Sequence, residues 1–153
     1  MRLKGWIFLA VRIGMGGVFV ISGYQKLASP VQNFIEVIEK FELVHGSTAS
    51  LVAHTLPWLE FIGGVFLAAG LWTRLSIAAL WAMNLTFIVL LATSLLRRLP
   101  LDQCGCFGEA VTRTVPQMLA LDCFFFVVFA VLWRFHAGSG ALSLDDRLSS
   151  SRG

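Results

Sequence analysis

The stretch LSIAALWAMNLTFIVLLATSLL, residues 75–96, contains no charged side chain. A helix needs about 20 predominantly apolar residues to cross the hydrocarbon core of a bilayer. Inside that core no water satisfies backbone N–H and C=O groups, so a crossing segment is either a helix or a strand of a closed barrel. A barrel strand alternates apolar and polar residues, and this run does not. Residues 75–96 therefore predict a transmembrane helix. Outward from it, residues 49–72, 6–27 and 115–135 read the same way. The connection at Thr73 and Arg74 is very short, so the spans on either side of it form an antiparallel hairpin.

The composition agrees. Of the 153 residues 57% are hydrophobic and 14% are charged, against about a quarter charged in soluble domains. The length allows one domain, here an all-α integral membrane bundle of four transmembrane helices. The formal charge of +3 is small and forms no basic stripe with interleaved aromatics, which excludes nucleic acid as a partner. Three cysteines are too few for a disulfide scaffold.

The connections differ in character. In residues 30–44, Val31, Phe34, Ile35, Ile38 and Phe41 recur at helical spacing against Gln32, Asn33, Glu36, Glu39 and Lys40. This predicts a short amphipathic helix that lies on the membrane surface or caps the bundle. Residues 97–114 form a polar loop, and residues 137–153 read as a disordered tail. The first run, preceded by Arg2 and Lys4, has the outline of a secretory signal, but it is longer than a signal core and contains Arg12, so it is read as a retained span. Gly14, Gly16, Gly17, Gly63 and Gly64 lie within spans and predict close helix packing. Trp6, Trp58, Trp72, Trp81 and Trp133 mostly fall near span ends, as an interfacial aromatic belt does.

Four spans put both termini and the Thr73–Arg74 turn on one side. That side carries Arg2, Lys4, Arg74, Arg134, Arg147 and Arg152, with Arg12 able to snorkel toward it; the other carries Lys26, Lys40, Arg97, Arg98 and Arg113. The bias favours cytoplasmic termini, for a multi-pass chain expected in the cell inner (plasma) membrane. The polar loop then faces the oxidising side, where disulfides persist.

That loop holds the clearest chemistry, Cys104-Gly105-Cys106-Phe107-Gly108. Thiolates attack disulfides and bind soft metals. A disulfide closed across one residue is a small strained ring, and such bonds tend to be labile or catalytic. The favoured reading is redox exchange by Cys104 and Cys106; a structural bridge and a metal site are the alternatives. A closed zinc site wants four ligands, and the loop offers two cysteines and no histidine, so no metal ligand set is assigned. His45 and His54, on the same side, keep a soft Cu(I) site open as the alternative. Cys123, inside the last span, reads as a small packed hydrophobe or as a resolving thiol.

Charged residues within spans face the bundle and find partners. Lys26 ends the first span and Glu60 follows Pro57 in the second, so they can meet beneath the loop, as a structural ion pair or as a proton-relay or carrier site. Asp122 stands near the same level. Asn84 lies deeper and reads as an interhelical hydrogen-bonding residue. Trp58 belongs to the aromatic belt or walls a quinone pocket.

Val18-Phe19-x-x-Ser22-Gly23-x-x-Lys26-Leu27, Leu56-Pro57-x-x-Glu60, Gly70-Leu71-x-x-Arg74 and Cys104-Gly105-Cys106-Phe107-Gly108 occur in this order. Over residues 5–135 the chain resembles the DoxX-like superfamily and, within it, the methylamine-utilisation MauE group. The resemblance implies an integral membrane protein linked to thiol redox or disulfide formation. For MauE-like members it also implies a thioredoxin-like partner during enzyme maturation. Electrons would pass between that partner and a quinone through Cys104 and Cys106, in either direction, with Lys26, Glu60 and Trp58 as the candidate quinone-binding residues. The alternatives from other classes are a non-enzymatic assembly factor that docks a partner and a metal-handling membrane protein.

Overall fold

A computed structural model describes residues 2–40, 46–97 and 114–136. The described residues form five helices and no strand: α1 (Arg2–Ala28), α2 (Val31–Lys40), α3 (Ser47–Ala69), α4 (Thr73–Leu96) and α5 (Val115–His136). The cysteine loop and the tail after His136 lie outside the described residues. Four helices, α1, α3, α4 and α5, are long and apolar enough to cross a membrane. The short amphipathic helix is α2.

The distribution of polarity is that of a protein solvated by lipid. Trp6, Ile7, Leu51, Leu59, Leu85, Val89, Phe124 and Val127 are exposed, while Arg12, Ser22, Lys26, Glu60, Asn84 and Asp122 are buried. Lipid tails are as apolar as leucine, so burying leucine gains little there, and buried polar groups and close backbone contact hold the helices together.

The α1–α3 contact is made by glycine. A Cβ on Gly16 would lie 2.7 Å from Ala68 N and Gly64 O, and one on Gly64 would lie 2.8 Å from Gly16 O and Val20 N. A Cβ on Gly23 would stand 2.7 Å from Phe61 N and 2.9 Å from Pro57 O. Gly63 meets the Leu80 side chain of α4, whereas nothing lies within 4 Å of a Cβ on Gly14 or Gly17. Packing thus accounts for some of the span glycines and not for Gly14 and Gly17, which sit on the open side of α1.

The α3–α4 hairpin turns at Gly70. Its left-handed backbone (φ 77°) stops α3 at Ala69, its N–H donates to the Phe66 and Leu67 carbonyls, and the Leu71 N–H returns to Phe66. This is a glycine-capped helix end. The Arg12 guanidinium rests against Gly70, where a Cβ would fall 2.7 Å from Nη1. Arg12 is therefore seated inside the bundle at the C-terminal end of α3, where the last carbonyls gather negative partial charge, and does not snorkel outward. Trp81, expected in the aromatic belt, instead packs between α4 and α5 on Phe126 and Trp133.

The main core joins Phe8, Met15 and Phe19 of α1 to Leu67 of α3, Ile77 and Leu80 of α4, and Phe125, Phe129 and Leu132 of α5. A second cluster, Leu91, Val115 and Met118, closes the end of the α4–α5 pair from which the cysteine loop departs. A third seats α2 on α3, with Phe34 and Ile38 against Ala49 and Ala53. The Glu39 carboxylate of α2 accepts the Gly46 N–H at the start of α3, 3.1 Å away, and so ties α2 to the positive end of that helix.

Candidate functional site

Ser22 and Lys26 are four residues apart on α1 and so share one face. Gly23, between them, lets α1 lie directly on the α3 backbone, which brings that face onto Glu60. The Lys26 ammonium donates to Glu60 Oε1 at 2.5 Å and to Oε2 at 2.7 Å. The Ser22 hydroxyl donates to Oε2 at 3.1 Å and accepts from Lys26 at 3.3 Å. Lys26 is 6% exposed and Glu60 1%, so the pair is desolvated and is matched by its own hydrogen bonds. Two rings flank the ammonium, Phe34 of α2 at 5.6 Å and Phe87 of α4 at 5.4 Å, both within cation–π range.

The levels of these groups explain what α2 does. Lys26 is in the last turn of α1. Glu60 lies ~20 Å along α3 from Ser47, at about 1.5 Å per residue. The first turns of α3 therefore project beyond the end of α1, and α2 fills the space beside them. Its Phe34 then roofs the ion pair.

Opposite this group, Asn84 stands midway along α4, and its Nδ2 donates to Asp122 Oδ1 of α5 at 3.4 Å. Asp122 lies ~10 Å below Val115 by the same rise, and its carboxyl senses the charges of both Lys26 and Glu60. Ser22, Lys26 and Glu60 thus form one hydrogen-bonded group and Asn84 with Asp122 a second; together these five buried polar side chains, drawn from all four membrane helices, make up the polar cluster. The apolar cluster of Leu91, Val115 and Met118 lies between it and the end of the bundle that carries the loop.

Of the residues singled out in the sequence, Lys26 and Glu60 meet directly, and Asn84 meets Asp122. Trp58 is 54% exposed, and two residues' separation on a helix sets it on the opposite face from Glu60, outside the cluster. Cys123 is exposed on α5, so its packed reading does not hold; its neighbour Asp122 takes the inward position. His54 is exposed and its Nδ1 lies 2.7 Å from Ser50 O. Cys104, Cys106 and His45 lie outside the described residues. Sequence reasoning gave no role to Ser22 as the bridge or to Phe34 and Phe87 as flanking rings. The four-residue spacing of Ser22 and Lys26 was the available signal for the first; the rings needed the fold.

The sequence profile of a family described as "Methylamine utilisation protein MauE" matches residues 4–135. The chain belongs to this family. A relative from Paracoccus denitrificans, "Methylamine utilization protein MauE", is 29% identical over 119 residues, 78% of this chain. The chain spans 63% of the length of that relative. No solved structure matches. The family match runs from the first turn of α1 to the end of α5, and so includes each member of the polar cluster.

Proposed function

We propose that this MauE-family chain is a membrane thiol–disulfide redox protein that supports disulfide formation in, or maturation of, a periplasmic enzyme. We assign it to methylamine utilisation, the process for which its Paracoccus relative is named, and to the wider DoxX-like superfamily on the order of its motifs. The observation that carries the reading is the Cys104-Gly105-Cys106 dithiol on the segment between two membrane helices. In one direction, a reduced thioredoxin-like partner gives two protons and two electrons to the loop disulfide and leaves oxidised. The loop dithiol then passes two electrons and two protons to a quinone, which becomes a quinol; the opposite direction reverses each step. Lys26 and Glu60, buried in the bundle, are the polar groups assigned to the carrier's head group; Trp58, the third candidate, is exposed on the face of α3 opposite Glu60.

Exchange passes through a mixed disulfide, and removal of the resolving thiol traps it. Cys104 precedes the glycine and is farther along the chain from α5, so it is assigned as the sulfur that shares the mixed disulfide with the partner, and Cys106 as the thiol that resolves it. The Cys106→Ser variant should accumulate a reducible covalent adduct with a soluble thioredoxin-like protein on non-reducing gels, and Cys104→Ser should not. Absence of an adduct with either variant, in cells that make the partner, refutes the exchange chemistry. It would favour a non-enzymatic docking role for the loop.

A further inference from the structure

Asn84 and Trp81, one turn apart on α4, each leave a buried side-chain atom without a hydrogen-bond partner among the described residues, Oδ1 and Nε1. Asn84 is 1% exposed, and its amide offers a donor, Nδ2, and an acceptor, Oδ1. The donor is used on Asp122, while Oδ1 is buried with no hydrogen-bond partner. Buried polar atoms are nearly always paired, so an orphan at such a position marks a missing donor. The group that touches this amide is the Asp122 carboxyl, itself 7% exposed. Ionised, a carboxyl only accepts; protonated, it carries an O–H that can donate. A carboxylic acid and a carboxamide then complement each other donor to acceptor in both directions. Reversing the amide does not remove the need: its oxygen would then face Asp122 Oδ1, and two acceptors in contact require a proton between them.

The charge balance points the same way. Among the described residues, the charges that act on Asp122 are those of Lys26 on α1 and Glu60 on α3. At this level α4 contributes the neutral Asn84 and Phe87, and α2 the Phe34 ring. Lys26 spends two hydrogen bonds on Glu60, which leaves, among the described residues, one carboxyl more than the cluster has cations. A buried charge without a counter-charge is strongly disfavoured, so the cluster needs one further positive charge. We propose that Asn84 and Asp122 form a proton-binding site at the middle of the bundle, Asp122 carrying one exchangeable proton that it donates to Asn84 Oδ1. The site goes beyond the thiol reading and stands without it, since no cysteine takes part.

Infrared absorption of the purified protein in lipid vesicles tests this, through the carbonyl stretch of a protonated carboxylic acid. The band should be present at neutral pH in the wild type and in the Cys104→Ser/Cys106→Ser double variant. It should shift on transfer to D2O, disappear in Asp122→Asn, and move in frequency in Asn84→Leu, where its hydrogen-bond acceptor is gone. If Asp122→Asn does not fold, wild-type protein carrying isotope-labelled aspartate should show the band displaced. A wild type without the band, a band that survives Asp122→Asn or ignores the label, or one that does not shift in D2O overturns the proposal. So does a band abolished when sodium chloride replaces choline chloride, since the extra cation would then be sodium.

Discussion

At the scale of residues, the Lys26–Glu60 pair decides how α1 and α3 fit together. Both members are desolvated, and among the described residues neither has a second partner of opposite sign as close. Removing one member of such a pair strands the other, which typically costs about 3–5 kcal/mol, whereas replacing both with neutral residues costs far less. Glu60→Gln or Lys26→Met alone should therefore lower the yield and melting temperature of detergent-extracted protein well below those of the double variant. Equal losses in all three would show that the two residues are uncoupled. Ser22→Ala removes a hydrogen bond to a charged group and leaves the pair intact, so a smaller loss of about 1.5–3 kcal/mol is expected in the same melting assay. Lys26 and Glu60 were readable from the sequence because charged residues inside apolar spans are conspicuous. The pairing of Asn84 with Asp122 was less so, since a lone asparagine in a span has many possible partners and periodicity does not select among them.

At the scale of elements, the α1–α3 contact rests on where glycine is absent from open space. Gly23→Ala places a methyl group against two backbone atoms, Phe61 N and Pro57 O, which cannot rotate away. The helices must part, at the typical cost of overpacking, about 1–3 kcal/mol, and the Lys26–Glu60 bonds lengthen with them. Gly17→Ala meets nothing within 4 Å and should be neutral or mildly stabilising, by up to about 1 kcal/mol from helix propensity. Thermal melting of the two variants side by side checks both; equal behaviour would mean that α1 and α3 are not in glycine contact. The sequence made the four spans and the amphipathic helix plain, because length and apolar content alone define a crossing helix. It did not tell Gly16 and Gly23 from Gly14 and Gly17, since which face of α1 meets a neighbour is decided by the other helices. It also left α2 with two roles, surface or cap, and the overhang of α3 past the end of α1 is what seats it over Lys26.

At the scale of the whole molecule, the remaining matter is which way the bundle sits. Positive residues favour the cytoplasmic side when they lie free near the ends of spans. Lys26 does not qualify, because it is buried and bound to Glu60. Its removal from the count weakens the positive charge on the side of α2 and the cysteine loop. The opposite side keeps Arg74, exposed at the start of α4 with its guanidinium over the Trp133 ring at 5.0 Å, and Arg134 at the end of α5. The asymmetry is thus stronger than the sequence alone suggests, and it favours a cytoplasmic α3–α4 turn. A cysteine introduced at Trp72, which is exposed at that turn, reports one face, and Cys104 with Cys106 reports the other. In spheroplasts treated with a mild reductant, a membrane-impermeant maleimide should label Cys104 and Cys106 at once and should reach Trp72→Cys only after lysis. Cys123 faces lipid and should stay unlabelled by the polar reagent in both states. The reverse pattern, with Trp72→Cys labelled before lysis and the loop thiols only after it, would invert the orientation. It would also put the loop in a reducing compartment, where a disulfide between its cysteines would not persist.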